Sequence, residues 1–327
     1  EIGSGLVGSE MCIRDRIIFM KKTSTKLLSV LAAGVIMASA FAGCGGNSSS
    51  TASGDNSSNA GSSNTSAFDT SKSLSVITRE QGSGTRDAFV ELTGVLVKDG
   101  DTKTDTTRTD AVTVNGTEAV ITNVKGNDAA IGYISLGSLN DSVKALKIED
   151  VDATAENVKS GEYKISRPFN IAYKGDLSGV AKDFVDYILS SDGQAVISKE
   201  GYVSVSENAA YAGTKPEGKI TVAGSSSVSP VMEKLIEAYK QINTKAEIEL
   251  QTSDSSAGMQ SALEGTCDIG MASRELKDTE TALTSTTIAK DGIAVIVNTN
   301  NTTENLTMDQ VKAIYTGEAK VWSDITK

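Results

Sequence analysis

Apolar and polar positions alternate over residues 74–78 (Leu74-Ser75-Val76-Ile77-Thr78) and then give way to the polar run Arg79-Glu80-Gln81-Gly82-Ser83-Gly84-Thr85-Arg86. Apolar residues return at helical spacing from Ala88 to Leu92. The pattern predicts a short buried strand, a glycine-spaced loop and the start of a helix. The same succession recurs. Residues 220–224 predict a strand that feeds Ser225-Ser226-Ser227, and Val228-Ser229-Pro230 leads into a helix over 231–239, where the proline suits a helix start. Residues 246–251 alternate as a strand, 252–258 are polar, and 259–264 predict a helix; 267–272 predict a buried strand that ends at Ser273-Arg274-Glu275.

Between these units, 118–124 predict a helix, 127–136 a turn into a buried strand, and 143–148 a further strand. Arg167-Pro168 marks a break before a strand at 169–173. Residues 180–190 form an amphipathic helix with Val180, Phe184, Val185, Ile188 and Leu189 on one face, continued by 195–199; 211–219 read as a polar connector or domain linker. An apolar run over 288–297 predicts a long strand. Thr307 with Gln310 three residues on predicts a capped helix start, and Trp322 reads as core packing.

Four hydroxyl-bearing loops at strand ends narrow the chemistry. A strand–loop–helix unit aims backbone N–H groups and the positive end of a helix dipole at one spot, which suits a small tetrahedral oxyanion. Gly82 and Gly84 permit close backbone approach, Ser83 and Thr85 add hydroxyls, and Arg79 and Arg86 add fixed charge.

The chain before residue 74 has another character. Residues 1–19 fit nothing that follows and read as artefactual read-through. From Met20 a charged start (Lys21, Lys22, Lys26) precedes an apolar run that closes on Phe41-Ala42-Gly43-Cys44, shorter than a comfortable membrane span. Residues 45–73 are rich in Ser, Gly, Asn and Thr and predict a flexible tether.

Composition removes whole classes of function. The 327 residues carry a net charge of −11, with no basic groove in the pattern, so no nucleic-acid partner is expected. With no histidine, Ser-His-Asp and Cys-His catalysis and histidine-bearing zinc sites are excluded. Cys12, Cys44 and Cys267 show no metal spacing, and Cys267 reads as a core thiol. No catalytic residue, metal or cofactor is expected. A hydrolase using Ser83 or Ser226 would lack a base.

The segments 75–89, 130–137, 220–233, 253–277 and 291–298 resemble the phosphate-binding lipoproteins that feed ABC phosphate importers, the Gram-positive form in particular. The resemblance spans 74–327 and implies an α/β fold of two lobes joined by a hinge, with phosphate between them. It identifies 20–43 as a lipoprotein signal and Cys44 as the lipidated residue, which places the protein at the cell surface on the outer face of the cytoplasmic membrane. A membrane permease as partner and a monomeric state are implied with it.

Relative to the usual family order the segments are rotated, since Trp322-Ser323-Asp324-Ile325 normally precedes the Arg79–Arg86 motif; a circular permutation is expected. The implied lobes are 74–168 with 298–327, and 169–297. Carried over by motif, the anion ligands are Arg79, Ser83, Gly84, Thr85, Ser226, Ser227 and Ser255; Ser273, which departs from the motif, is expected to join them. Arg86, Asp254, Arg274 and Glu275 are secondary candidates. Ser273 and Gln81 stand where the best-studied branch has aspartates, one accepting the phosphate proton and one restraining the arginine; Asp254 or Glu275 is the expected substitute acceptor. That departure keeps receptors for another oxyanion, such as sulfate, molybdate or tungstate, as an alternative; a surface lipoprotein that senses phosphate but feeds no importer is a separate one.

Overall fold

The computed structural model describes residues 68–100 and 102–325. The expected read-through, signal segment, Cys44 and the tether as far as residue 67 lie outside the described residues. The tether was expected to run to Ser73, but residues 68–73 are held. Phe68 meets Trp322 edge-on at 5.7 Å, Trp322 N–H donates to the Lys72 carbonyl, and Ser73 bridges Val321.

In chain order, β1 (Ser75–Arg79) leads to α1 (Gly84–Leu92), the hairpin β2 (Leu96–Asp99) and β3 (Thr102–Asp105), then β4 (Val112–Val114), α2 (Thr117–Lys125) and β5 (Ala130–Ser135). Short strands β6 (Lys144–Ala145) and β7 (Lys147–Ile148) and helix α3 (Ala155–Ser160) precede β8 (Ser166–Lys174). Then come α4 (Gly179–Leu189), α5 (Ser191–Lys199), β9 (Val203–Ser204), β10 (Gly218–Ser225), α6 (Ser229–Ile242), β11 (Ala246–Ser253), α7 (Ser255–Glu264) and β12 (Ile269–Ala272). The described chain closes with β13 (Leu283–Val297), β14 (Asn305–Leu306) and α8 (Met308–Thr316).

The main sheet runs β11-β10-β12-β8-β13-β5-β1-β4, with β6 and β9 also paired to β13. At each flank the strands are parallel: β10 with β11 and β12, β1 with β4 and β5. In such sheets the helices that follow the strands start at the strands' C-terminal ends, where loops gather. The middle differs. β8 and β13 pair antiparallel over Leu283 to Gly292, and β13 continues from Ile293 to Val297 against β5.

Two sets of apolar residues flank that crossing. Val76, Phe89, Ile131, Tyr133, Ile165, Val295, Tyr315 and Trp322 belong to one core; Phe169, Phe184, Val222, Leu235, Tyr239, Ile269 and Ile288 belong to the other. Each underlies one lobe of the fold. The expected boundary at 297 put all of β13 in the second lobe, yet Ile293, Val295 and Val297 pack in the first core. β13 is therefore a shared strand that changes core near Asp291. There Asp291 pairs with Arg167 of β8 at 3.1 Å, both side chains almost wholly buried, and Arg167 lies over the Phe169 ring.

Arg167-Pro168 is not a break. Pro168 sits inside β8 opposite Lys290, and on the other side β12 reaches only from Asn170 to Ala172. A residue without an N–H is tolerated where one flank has no ladder to complete.

The expected linker at 211–219 is instead fastened to the second lobe. Tyr211 and Tyr239 donate their hydroxyls to Asp183 on α4, Thr214 N–H donates to the same carboxylate, and Asn243 Nδ2 donates to the Pro216 carbonyl. Burial pushes the Asp183 carboxyl up, but these donors outweigh it and hold the group below its ordinary 3.8. Asp183→Ala orphans two tyrosine hydroxyls and is expected to cost about 2–4 kcal/mol in urea unfolding at pH 7. The contribution is present above the ordinary carboxylate range and lost as pH falls through the lowered value. The gap between variant and parent therefore narrows on acidification below about 4.

Candidate functional site

Three helices begin where the two lobes face each other, and each start is set by local sequence. Ser83 caps α1 by accepting the Arg86 N–H, Asp254 caps α7 by accepting the Ala257 N–H, and Pro230 sits in the first turn of α6. The first N–H groups of a helix have no intrahelical acceptor, so the starts of α1, α6 and α7 present donors and positive dipole ends to one region.

The structure brings together all eight primary candidates. From the first lobe come Arg79, at the end of β1, and Ser83, Gly84 and Thr85, at the start of α1. From the second come Ser226 and Ser227 after β10, Ser255 opening α7, and Ser273 after β12. Arg79 Nη2 donates to Ser226 Oγ at 3.0 Å, and the Thr85 and Ser227 hydroxyls bond at 2.8 Å. Ser255 Oγ lies 3.4 Å from Ser273 Oγ and accepts the Ser273 N–H at 3.1 Å. Ser225, the first hydroxyl of its loop and not among the expected ligands, donates to Ser273 Oγ at 3.0 Å. Gly84 fits only because it has no side chain: a Cβ there would lie 2.4 Å from Ser255 Oγ and 2.8 Å from Ser273 Oγ. The result is a buried cup of hydroxyls closed by both lobes.

Arg79 is 1% exposed and is the cup's one fixed charge. Its Nε and Nη2 clamp the two Glu80 oxygens at 2.7 Å each. Burial raises the Glu80 carboxyl, but the Arg79 fork, with help from Gly116 N–H, brings it below its ordinary 4.5. The restraint expected from position 81 is thus supplied by Glu80, while Gln81 faces a neighbouring cleft. The side chain adjacent in sequence was the available signal. Nη1 of Arg79 is buried with no hydrogen-bond partner, which leaves one donor of the fork uncommitted. Tyr133, stacked on Phe89 at 3.9 Å, fixes the strand end by accepting the Arg79 N–H and bonding Thr78 Oγ1.

The secondary candidates lie elsewhere. Arg86 stands behind Arg79, donating to its carbonyl at 2.7 Å and pairing with Asp105. Asp254 is committed to its cap and faces Gly82, whose Cβ position lies 2.7 Å from Oδ1. Glu275 is exposed and meets Asn170 Nδ2 at 3.5 Å. Neither carboxylate touches the cup, because β12 ends with Ser273 turned inward and Glu275 outward. Arg274 is held by Glu280 through two nitrogens at 2.7 and 2.8 Å. A cavity of about 720 Å³ lies beside the cup and is lined by Gln81, Asp87, Lys103, Arg167, Arg274 and Lys277, not by the serines of the cup. Among the described residues no group of His, Cys, Asp and Glu is placed to hold a metal.

Comparison with known proteins agrees with this architecture. The PBP superfamily domain matches residues 63–192 and 209–327. A curated relative from Streptococcus agalactiae, phosphate-binding protein PstS 2, is 47% identical over 308 residues, covering 92% of this chain and 99% of its own. The chain belongs to the PstS family of the PBP superfamily. The PstS 2 protein of Streptococcus pneumoniae is 46% identical over 257 residues, 78% of this chain and 88% of its own. A crystal structure of a phosphate-binding protein of a phosphate ABC transporter from S. pneumoniae superposes with a TM-score of 0.63 at 46% identity, covering 78% of this chain and all of that one. The S. agalactiae match runs end to end, so the order of segments here is shared with that PstS relative.

Proposed function

We propose that this protein is an extracytoplasmic receptor that captures inorganic phosphate between its lobes and delivers it to the membrane permease of an ABC importer. The observation that carries the reading is the cup itself: the hydroxyls of Thr85 from one lobe and of Ser226, Ser227, Ser255 and Ser273 from the other gather at one place beside the uncommitted Nη1 of Arg79. Hydroxyls and helix starts can wrap a tetrahedral oxyanion on all sides, and the arginine fork supplies a charge-assisted bond. The naming of PstS relatives as phosphate-binding proteins supports phosphate as the anion.

Phosphate is bridged by Arg79, Ser83, Gly84 N–H and Thr85 from one lobe and by Ser226, Ser227 N–H, Ser255 and Ser273 from the other. Because both lobes are needed for the full set of bonds, the anion binds the closed form better and shifts the population toward it. With Glu80 occupied by Arg79, the cup offers no free carboxylate; a serine hydroxyl accepts the phosphate proton. No step of bond cleavage is involved.

The lobes divide within β8 and β13 near Arg167 and Asp291. The segment order is a circular permutation of the commoner family order, and the end-to-end alignment with the S. agalactiae relative supports its being a shared feature rather than a peculiarity of this chain. The protein works as a monomer anchored through lipid on Cys44. Among the described residues no helix is long and apolar enough to cross a membrane.

Titration calorimetry of residues 68–327 with phosphate, and with sulfate as control, tests the reading. Saturable one-site binding of phosphate, with sulfate weaker by at least about tenfold, is expected. Preference for sulfate would replace phosphate as the ligand, and no binding of either anion would remove the proposal.

A further inference from the structure

Outside the cup the lobes are joined by a second polar contact that no ligand need touch. Asp87 lies in the first turn of α1, four residues after Ser83 and on the same rigid helix as the cup donors. Its Oδ2 is 2.9 Å from Lys277 Nζ and 3.3 Å from Arg274 Nε, both on the second lobe. Arg274 is 5% exposed and cannot wander: Glu280 grips it through two nitrogens, Glu280 Oε2 also accepts the Lys277 N–H, and Arg274 Nη2 reaches Ser256 Oγ. Ser256 N–H in turn donates across the gap to the Gly82 carbonyl. Asp87, Arg274 and Lys277 also line the neighbouring cavity of about 720 Å³.

We infer that Asp87, with Arg274 and Lys277, is a closure latch that sets how long a bound anion is held without taking part in its recognition. The inference rests on the reading of the cup as an anion site. Two cations on one lobe meet one carboxylate on the other, so the contact forms only when α1 swings onto the β12–β13 connection. Its energy then adds to the closed state for any anion in the cup. Affinity gained in this way appears in the dissociation rate, because the latch forms after the ligand has entered. Lys277 is about half exposed and Asp87 about one-third, so part of the attraction is open to screening by salt. The Arg274 contact, deeper in, is screened less.

The test uses inorganic phosphate and the isosteric variant Asp87→Asn, with Asp87→Glu as the conservative control. Stopped-flow release from Asp87→Asn is expected to be faster by about tenfold, with association unchanged within about twofold and the phosphate-to-arsenate preference unaltered. Raising KCl from about 50 to 500 mM speeds release from the parent and not from Asp87→Asn. Asp87→Glu restores slow release and its salt dependence, and Lys277→Gln gives a smaller effect than Asp87→Asn. Release from Asp87→Asn at the parent rate, or a changed phosphate-to-arsenate preference, overturns the latch. Small-angle scattering separates this from the parent reading. If the parent binds no phosphate yet Asp87→Asn is more extended than the parent, the latch stands and the phosphate assignment falls; if the two scatter alike as well, both fall.

Discussion

Alanine at Arg79 is expected to weaken phosphate binding by about 10²–10³-fold while the fold survives. The guanidinium is buried, carries the only fixed positive charge in the cup, and holds one donor uncommitted. Loss of a charge-assisted hydrogen bond in a buried site accounts for about 1.5–3 kcal/mol. The substitution also unmasks Glu80, whose oxygens are otherwise clamped at 2.7 Å, and leaves its negative charge facing an incoming anion. Together these reach about 3–4 kcal/mol, or the stated range in Kd. Arg79→Lys recovers little, because an ammonium cannot span both Glu80 oxygens and still reach Ser226. Calorimetry with phosphate reads the loss, and a Kd within about threefold of the parent would show that Arg79 does not touch the anion.

Glu80 sets the acid limit of the same site. Since Arg79 holds its carboxyl below the ordinary 4.5, the pair is intact through neutral and mildly acidic pH. Its contribution is lost only as pH falls through that lowered value, when protonated Glu80 releases the fork.

The strand–loop–helix units were legible because each is local. Val76 and Ile77, the glycines at 82 and 84 and the return of apolar spacing at Phe89 encode β1, the loop and α1 within a short window. The α8 start was legible for the same reason, and Thr307 and Gln310 form the reciprocal cap their spacing predicts. The convergence of the loops is of another kind. Ser83 and Ser255 lie far apart in the chain, and only the resemblance to a family tied them to one ligand.

Context overrode residue type where sequence reading failed. Arg167-Pro168 looks like a break in sequence, but a strand with one unpaired flank accommodates Pro168. The 211–219 segment looks like a linker until Asp183, about 30 residues earlier, gathers its hydroxyl and amide donors. Asp87 and Lys277 are ordinary surface charges in sequence; their meeting depends on the closed arrangement of the lobes.

Gly84→Ala is expected to abolish tight binding by a steric route, which separates closure from chemistry. Gly84 opens α1 without a left-handed φ, so alanine suits the backbone there and the ligand-free protein should melt at or slightly above the parent temperature. The obstacle arises only when the lobes meet, since the added methyl would lie 2.4 Å from Ser255 Oγ and 2.8 Å from Ser273 Oγ. Swinging Ser255 aside orphans the buried Ser273 N–H that its Oγ accepts. Affinity should therefore fall by about 10²-fold, with phosphate no longer raising the melting temperature or compacting the protein in scattering. Gly82 offers no such clean test, because its φ of +92° would strain any side chain. Removing the struck atom provides the internal check. Ser255→Ala alone loses hydroxyl contacts, yet combined with Gly84→Ala it clears the shortest clash, so the double variant should bind better than the product of the two single losses predicts. Strict additivity would mean that the lobes do not close on Ser255.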